Sequence, residues 1–288
     1  MAQLFVEDLT VLDFSFLDRE RGLVGESWIV DIVLAGGLDE QGMVLDFGRV
    51  KKQIKHVIDE EADHRLLVPR YSPGCSVKLS DDDMTVDFEL ANGGTIRHQS
   101  PETAVLLVDS ISVCTESVAS YLRGKLRDVL PPSVSSVALA LRAEEASGHY
   151  YHYSHGLQKH AGQCQRIAHG HRSRIEVEVN GVRNRDYEEQ WAARLLDSYV
   201  ATVEHLQERF ELNGIPHSRL AYTATQGSFT LIVPSSCVFV IPGESTVENI
   251  AEFIAERISE QEVGEVSVRA FEGVGKGAIG FAGSKAAE

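Results

Sequence analysis

His155-Gly-Leu-Gln-Lys-His-Ala-Gly-Gln-Cys-Gln-Arg-Ile-Ala-His-Gly-His171 runs directly into Arg172-Ser-Arg-Ile-Glu-Val-Glu-Val-Asn180. The second segment alternates apolar and polar residues, the pattern of a half-buried strand. Side chains two apart on a strand share a face. Counting back from Ile175, Val177 and Val179, the same parity falls on His171 and His169, so both imidazoles are expected to point inward. A His-x-His pair alone is more often two hydrogen-bonded histidines than two metal ligands. His155 adds a third imidazole and Cys164 a thiol, and the set reads as an open zinc site.

The rest of the composition narrows the partners. At 288 residues the chain holds one large domain or two ordinary ones. Its apolar fraction of 43% is that of a soluble globular protein. A net charge of −16 disfavours nucleic acid, because phosphate binding needs a basic surface and no Lys/Arg stripe is present. Cys75, Cys114, Cys164 and Cys237 are scattered without a CxxC, and the three outside the quoted stretch read as buried free thiols. Met1–Thr10 has no basic region followed by an apolar core, and no apolar run approaches the roughly 20 residues of a membrane span. The expected setting is soluble, reducing and cytoplasmic.

Taken in order, Trp28–Leu34 is a strand, and Gly42–Leu45 reads as its short returning partner. Asp46 reads as the cap of a helix with Phe47, Val50, Ile54 and Val57–Ile58 on one stripe. The helix ends in Asp59-Glu-Glu-Ala-Asp63-His64. Gly74–Arg97 reads as strands around Ser80–Asp83 with a turn at Asn92-Gly93-Gly94. Ala104–Val108 is a buried strand, Thr115 caps a second helix, and Val134–Leu141 is a closing strand.

From about residue 148 the pattern starts again. Ile175–Val179 corresponds to Trp28–Leu34. A helix through Trp191, Leu195, Tyr199, Val203 and Leu206 corresponds to the first helix, and Phe229–Val233 to Ala104–Val108. Ser245-Thr246 caps the last helix and Val263–Val268 closes. The chain therefore reads as a tandem duplication, with units over 1–147 and 148–288. The copies are unequal. Val24-Gly25-Glu26 stands where the second copy has His169-Gly170-His171, and nothing in the second copy matches Asp63-His64 better than Pro216-His217.

These residues resemble the 6-pyruvoyl-tetrahydropterin synthase and 6-carboxy-tetrahydropterin synthase family. That family's hallmarks are an aromatic-x-x-x-His strand, a cysteine shortly before His-Gly-His and a Gly-Met-Val-x-Asp-Phe junction. An Asp-His pair, a Pro-Thr-Ser-Glu helix cap and a late glutamate complete the set. Here His155, Cys164, His169 and His171 match the first two, and Gly42-Met43-Val44-Leu45-Asp46-Phe47 the junction. Asp63-His64-Arg-Leu-Leu67-Val68 matches the pair, with Leu67-Val68 where the family has Leu-Asn. Thr115-Glu116 and Ser245-Thr246-Val-Glu248 match the cap twice, and Glu272 stands at the late glutamate. The gap of four residues between Cys164 and His169 falls between those of the two branches.

The resemblance implies an α+β fold of two tandem T-fold (tunnelling fold) units. Each would have an antiparallel four-stranded sheet with two helices on one face, and the units would oligomerise into a barrel. It also implies His155, His169 and His171 as zinc ligands, Cys164 as general base, Asp63 and His64 as a proton-transfer pair, and Glu272 as the anchor of a pterin ring. The implied substrate is 7,8-dihydroneopterin triphosphate. The implied product is 6-carboxy-tetrahydropterin, on the route to queuosine; 6-pyruvoyl-tetrahydropterin, or binding without turnover, are the alternatives. A homo-oligomer with sites at domain or subunit interfaces is expected. His152 and His160 stand either beside the ligands or against the triphosphate, and Glu26 reads as hydrogen-bonded structure.

Overall fold

The computed structural model describes residues 2–38, 40, 42–44, 46–145 and 147–283. The chain opens on a 17-residue strand, β1 (Ala2–Asp18), which pairs antiparallel along its length with β2 (Gly22–Gly36). Its segment Leu12-Asp-Phe-Ser-Phe16 alternates strictly. Leu12, Phe14 and Phe16 join the hydrophobic core, and Asp13 and Ser15, of opposite parity, are also buried. β2 contains the expected Trp28–Leu34, but its returning partner is β1, not Gly42–Leu45. Both edges of β2 are already taken, by β1 and by β8 (below), and Gly42, Met43 and Val44 lie outside any strand. Leu45 lies outside the described residues.

The first half continues with α1 (Phe47–Ala62), β3 (Leu66–Pro69), β4 (Cys75–Ser80), β5 (Asp83–Glu89), β6 (Thr95–Pro101), β7 (Val105–Val108), α2 (Thr115–Val129) and β8 (Val134–Arg142). One sheet has the order β7-β3-β1-β2-β8. The two helices bury Val50, Ile54 and Ile58 with Val118, Leu122 and Leu126 against Leu12, Phe14, Val30 and Ile32. The cap of α2 is Cys114 rather than Thr115, and that cysteine is exposed, not buried.

The second half repeats the order: β9 (Tyr150–His155), β10 (His169–Val179), a short β11 (Val182–Arg183), α3 (Arg185–Leu195), β12 (Ser198–Thr202), β13 (Leu206–Leu212), β14 (Ile215–Ala224), β15 (Gly227–Pro234), β16 (Val238–Ile241), α4 (Val247–Ser259), β17 (Val266–Phe271) and β18 (Gly277–Ala282). Its sheet runs β16-β12-β9-β10-β17-β18, with β11 on β10. The fold is α+β and duplicated. The expected four antiparallel strands are β9, β10, β17 and β18; among the described residues the first half has three in its corresponding sheet, β1, β2 and β8. In both halves two short strands extend the sheet in parallel.

Two correspondences differ from the sequence reading. The helix expected to run to Leu206 stops at Leu195, because Asp197 takes φ +53° and the β-rich Ser-Tyr-Val-Ala-Thr that follows forms β12. The counterpart of β7 is therefore β16, and Phe229–Val233 lies in β15, the counterpart of β6.

The halves are joined in two ways. β6 pairs antiparallel with β15, so that β13-β14-β15-β6-β5-β4 is one sheet drawn from both. Under it, Leu17, Leu66 and Phe88 share a core with Ile167, Tyr199 and Phe229. Elsewhere Gly25 and Gly170 bring β2 and β10 into backbone contact: a Cβ on Gly170 would sit 2.7 Å from Gly25 Cα. Beside them Ser15 Oγ and Ser154 Oγ are 2.7 Å apart. No helix among the described residues is long and apolar enough to cross a membrane.

Candidate metal and catalytic site

Register brings the three expected histidines together. β9 and β10 pair His155 directly with His169, and Tyr153 with His171. The imidazoles of His155, His169 and His171 are no more than 1% exposed, with ring centroids 4.3 to 5.8 Å apart. One nitrogen of each lies within 4.8 Å of the others. Each Nδ1 faces an acceptor: Ser245 O at 2.7 Å from His155, Arg166 O at 2.9 Å from His169, and Asp13 Oδ1 at 3.2 Å from His171. Nδ1–H donation to the two carbonyls leaves Nε2 of His155 and His169 as the free lone pair, the form in which histidine binds metal, while His171 Nδ1 faces Asp13 without a formed hydrogen bond.

The residues fit a divalent cation that favours imidazole. His155 Nε2 and His171 Nε2 are buried with no hydrogen-bond partner among the described residues. Orphaned buried nitrogens are costly, and a cation held between them removes that cost. Burial holds His155 and His169 well below the usual histidine range, with neighbouring imidazoles adding to it, so both are neutral and competent as ligands.

The Asp63-His64 pair arrives from the end of α1 in the other half, within the same chain. His64 takes φ +53°, which turns its ring back over the sheet, 5.0 Å from that of His169. Asp63 Oδ2 is 2.6 Å from His64 Nδ1, and Asp63 Oδ1 accepts from Asp13 N–H at 2.9 Å. His64 N–H donates to Asp13 O at 2.7 Å. Nitrogen or sulfur atoms of His64, Cys164 and His169 lie within 4.8 Å of one another. Burial works against a charged His64, but Asp63 and Cys164 outweigh it and push the imidazole up to about 10. At the structural counterpart of His64 in the second half stands Asp197, also at φ +53° and ion-paired to Arg21 at 2.6 Å. Pro216-His217 is elsewhere: His217 lies in β14 and bonds to Ile215 O.

Glu272 follows β17 and sets Oε1 3.9 Å from His171 Nε2. The turn after it needs its glycine. Gly273 has φ +72°, and a Cβ there would meet Asp13 Oδ1 at 2.5 Å. The turn delivers Lys276 Nζ to 3.2 Å from Asp13 Oδ2.

Two residues of the site went unnoticed in the sequence. Asp13 is buried, accepts Ser27 Oγ–H at 2.5 Å, and links His171, Asp63, His64 and Lys276. Arg166 donates from one nitrogen to Asp63 O at 3.3 Å and His64 O at 3.4 Å, while its own carbonyl receives His169 Nδ1. His152 and His160 stand apart from the cluster. His152 Nδ1 bonds Gly25 O at 2.8 Å and lies 3.8 Å from Glu26, and His160 Nδ1 accepts from Gly162 N–H. Glu26 accepts from Ser27 N–H, as a structural group does.

A family model described as 6-pyruvoyl tetrahydropterin synthase matches the chain twice, over residues 17–153 and 145–279. No curated protein matches it. Among solved structures, a catalytic-residue mutant of Plasmodium vivax 6-pyruvoyltetrahydropterin synthase is 20% identical, with 49% of this chain and 97% of that one covered and a TM-score of 0.39. The Plasmodium falciparum 6-pyruvoyl tetrahydropterin synthase is 16% identical at the same coverage, with a TM-score of 0.38.

Proposed function

The chain belongs to the 6-pyruvoyl tetrahydropterin synthase family, and from that premise we propose that it is a zinc-dependent lyase acting on 7,8-dihydroneopterin triphosphate. The product is 6-carboxy-tetrahydropterin, a precursor of queuosine, formed in the cytoplasm by a homo-oligomer whose two units, 1–147 and 148–288, divide the site between them. The observation that carries the reading is the approach of His64 to the three-histidine cluster. A pterin-binding relic would have no need of an oriented imidazole 5.0 Å from His169 and beside a thiol.

In this reading His155, His169 and His171 would hold the zinc, which would supply polarisation of the substrate's side-chain hydroxyls and so acidify the adjacent C–H. Cys164 is the base that takes that proton. His64, held by Asp63 at Nδ1, carries a proton to or from the substrate at its other nitrogen. Glu272 accepts the 2-amino and N3 hydrogens of the ring, fixing it against the reacting end.

The test is a product assay on zinc-loaded protein. Acetaldehyde released with triphosphate supports the 6-carboxy product, and triphosphate without acetaldehyde the 6-pyruvoyl one. No turnover with zinc bound sinks the enzyme reading. Cys164→Ala is expected to abolish turnover and keep zinc; loss of zinc would make Cys164 a ligand.

A further inference from the structure

Tyr153 lies two residues before His155 on β9, so its side chain shares the face of the histidines. Its ring sits between them, with centroids 5.0 Å from His155 and 5.4 Å from His171. The residue is 0% exposed, yet its hydroxyl has no hydrogen-bond partner among the described residues. A buried phenol normally finds one, since leaving the O–H unpaired costs about 1–3 kcal/mol. Packing alone gives no reason for the oxygen, because phenylalanine would fill the same volume. Tyr153 therefore holds a buried, unspent O–H donor on the face of the histidine cluster. Tyr151 stacks behind it at 5.6 Å and its buried hydroxyl is likewise without a partner among the described residues, but it lies one step further along β9 from the three histidines.

We propose that the Tyr153 hydroxyl is a substrate-contacting donor that reads the pterin ring. The proposal rests on the function given above. The ring edge presents two donors, the 2-amino group and N3–H, followed by one acceptor, the 4-oxo oxygen. Glu272 accepts only, and so answers the two donors. The 4-oxo oxygen needs a neutral donor beside that carboxylate, and the Tyr153 O–H supplies it. The pairing makes a 2-amino-4-oxo ring the preferred ligand class.

The test compares zinc-loaded wild type, Tyr153→Phe and Tyr151→Phe, by calorimetric titration with neopterin, zinc content and thermal unfolding of the free protein. For Tyr153→Phe the neopterin Kd is expected to rise about five- to tenfold, as for one lost hydrogen bond. Zinc content should be unchanged and the free protein as stable or more so, because an unpaired hydroxyl has gone. In turnover the same loss should raise KM and spare kcat. Tyr151→Phe should bind as wild type. An unchanged Kd in Tyr153→Phe overturns the proposal, as does loss of zinc, which would put the hydroxyl on the metal. A lower melting temperature with unchanged Kd would assign the hydroxyl to an internal water instead. Failure of wild type to bind neopterin would bring down the function reading itself, and this proposal with it.

Discussion

Asp13 Oδ1 lies 3.2 Å from His171 Nδ1, and the two residues come from opposite halves of the chain. Strand alternation explains how. Leu12 and Phe14 face the helices of the first half, so Asp13 projects the other way, where the second half packs. Burial alone would raise this carboxyl, but His171, Lys276 and Ser27 more than reverse that and hold it well below the usual carboxylate range. A carboxylate behind a ligating histidine fixes its tautomer and typically changes metal affinity about 10- to 100-fold. Asp13→Asn keeps the shape and removes the charge. Zinc affinity, read by chelator competition, should fall by that factor; equal affinity would show that the contact does not orient His171.

The contrast between Asp13 and His169 shows what local pattern records. His169 and His171 were legible because Ile175 and Val177 fix the parity of their strand. Asp63-His64 stood out only through the family resemblance, because its residues alone read equally as a polar helix end. Leu12-Asp-Phe-Ser-Phe16 carries an equally clean alternation, and it would have announced β1 and a buried Asp13. Arg166 and Tyr153 had no such signal, because their meaning lies in contacts between halves or in an unpaired atom. Tyr199 misled for a definite reason: with Trp191 and Leu195 it makes an i, i+4, i+8 series, which the positive φ of Asp197 interrupts.

Arg166 ties the candidate metal site to the proposed proton-transfer pair, side chain on Asp63 O and His64 O, carbonyl on His169. Misplacement of a reacting group by about 1 Å costs up to about 100-fold in rate. Arg166→Gln should therefore lower kcat about 10- to 100-fold with KM and zinc content near wild type. Arg166→Lys, which offers one ammonium to the two carbonyls but loses the Nε–H contact to Gln226 Oε1 at 3.3 Å, should recover only part of the rate. A change confined to KM would remove Arg166 from any role in positioning His64.

Glu26 occupies the place that His171 takes in the other half, opposite Phe14 as His171 is opposite Tyr153. Burial pushes its carboxyl up to about 7, against the opposing pulls of Ser27 N–H, Arg172 and Arg21. The folded chain thus favours the protonated acid. Stability from this group is complete below its ordinary value of 4.5, declines as pH rises from there through about 7, and is flat above. The whole step is on the order of 3 kcal/mol. Glu26→Gln should match wild type at pH 5 and exceed it at pH 8 in denaturant midpoint. A gap that fails to widen between the two would show Glu26 to be charged in the fold.

Gly170 lies between two of the proposed metal ligands and against the other half, and its surroundings are mostly backbone. A Cβ would press on Tyr153 O and approach Gly25 Cα and Ser15 Oγ, each at 2.7 Å. Gly25 is the mirror case, where a Cβ would stand 2.6 Å from His171 N. Neither clash is relieved by a rotamer change, since main chain cannot swing aside. Gly170→Ala should therefore cost about 3 kcal/mol, as overpacking of a tight contact does, and reduce zinc content by spreading His169 from His171. Gly124, in the middle of α2, has nothing within 4 Å of a Cβ. There the same substitution should stabilise by about 1 kcal/mol, because alanine is the better helix former. Opposite signs for one chemical change, read as denaturant midpoints, would assign the cost at Gly170 to the contact between halves. A mild effect at both positions would mean that the halves have slack where β2 meets β10.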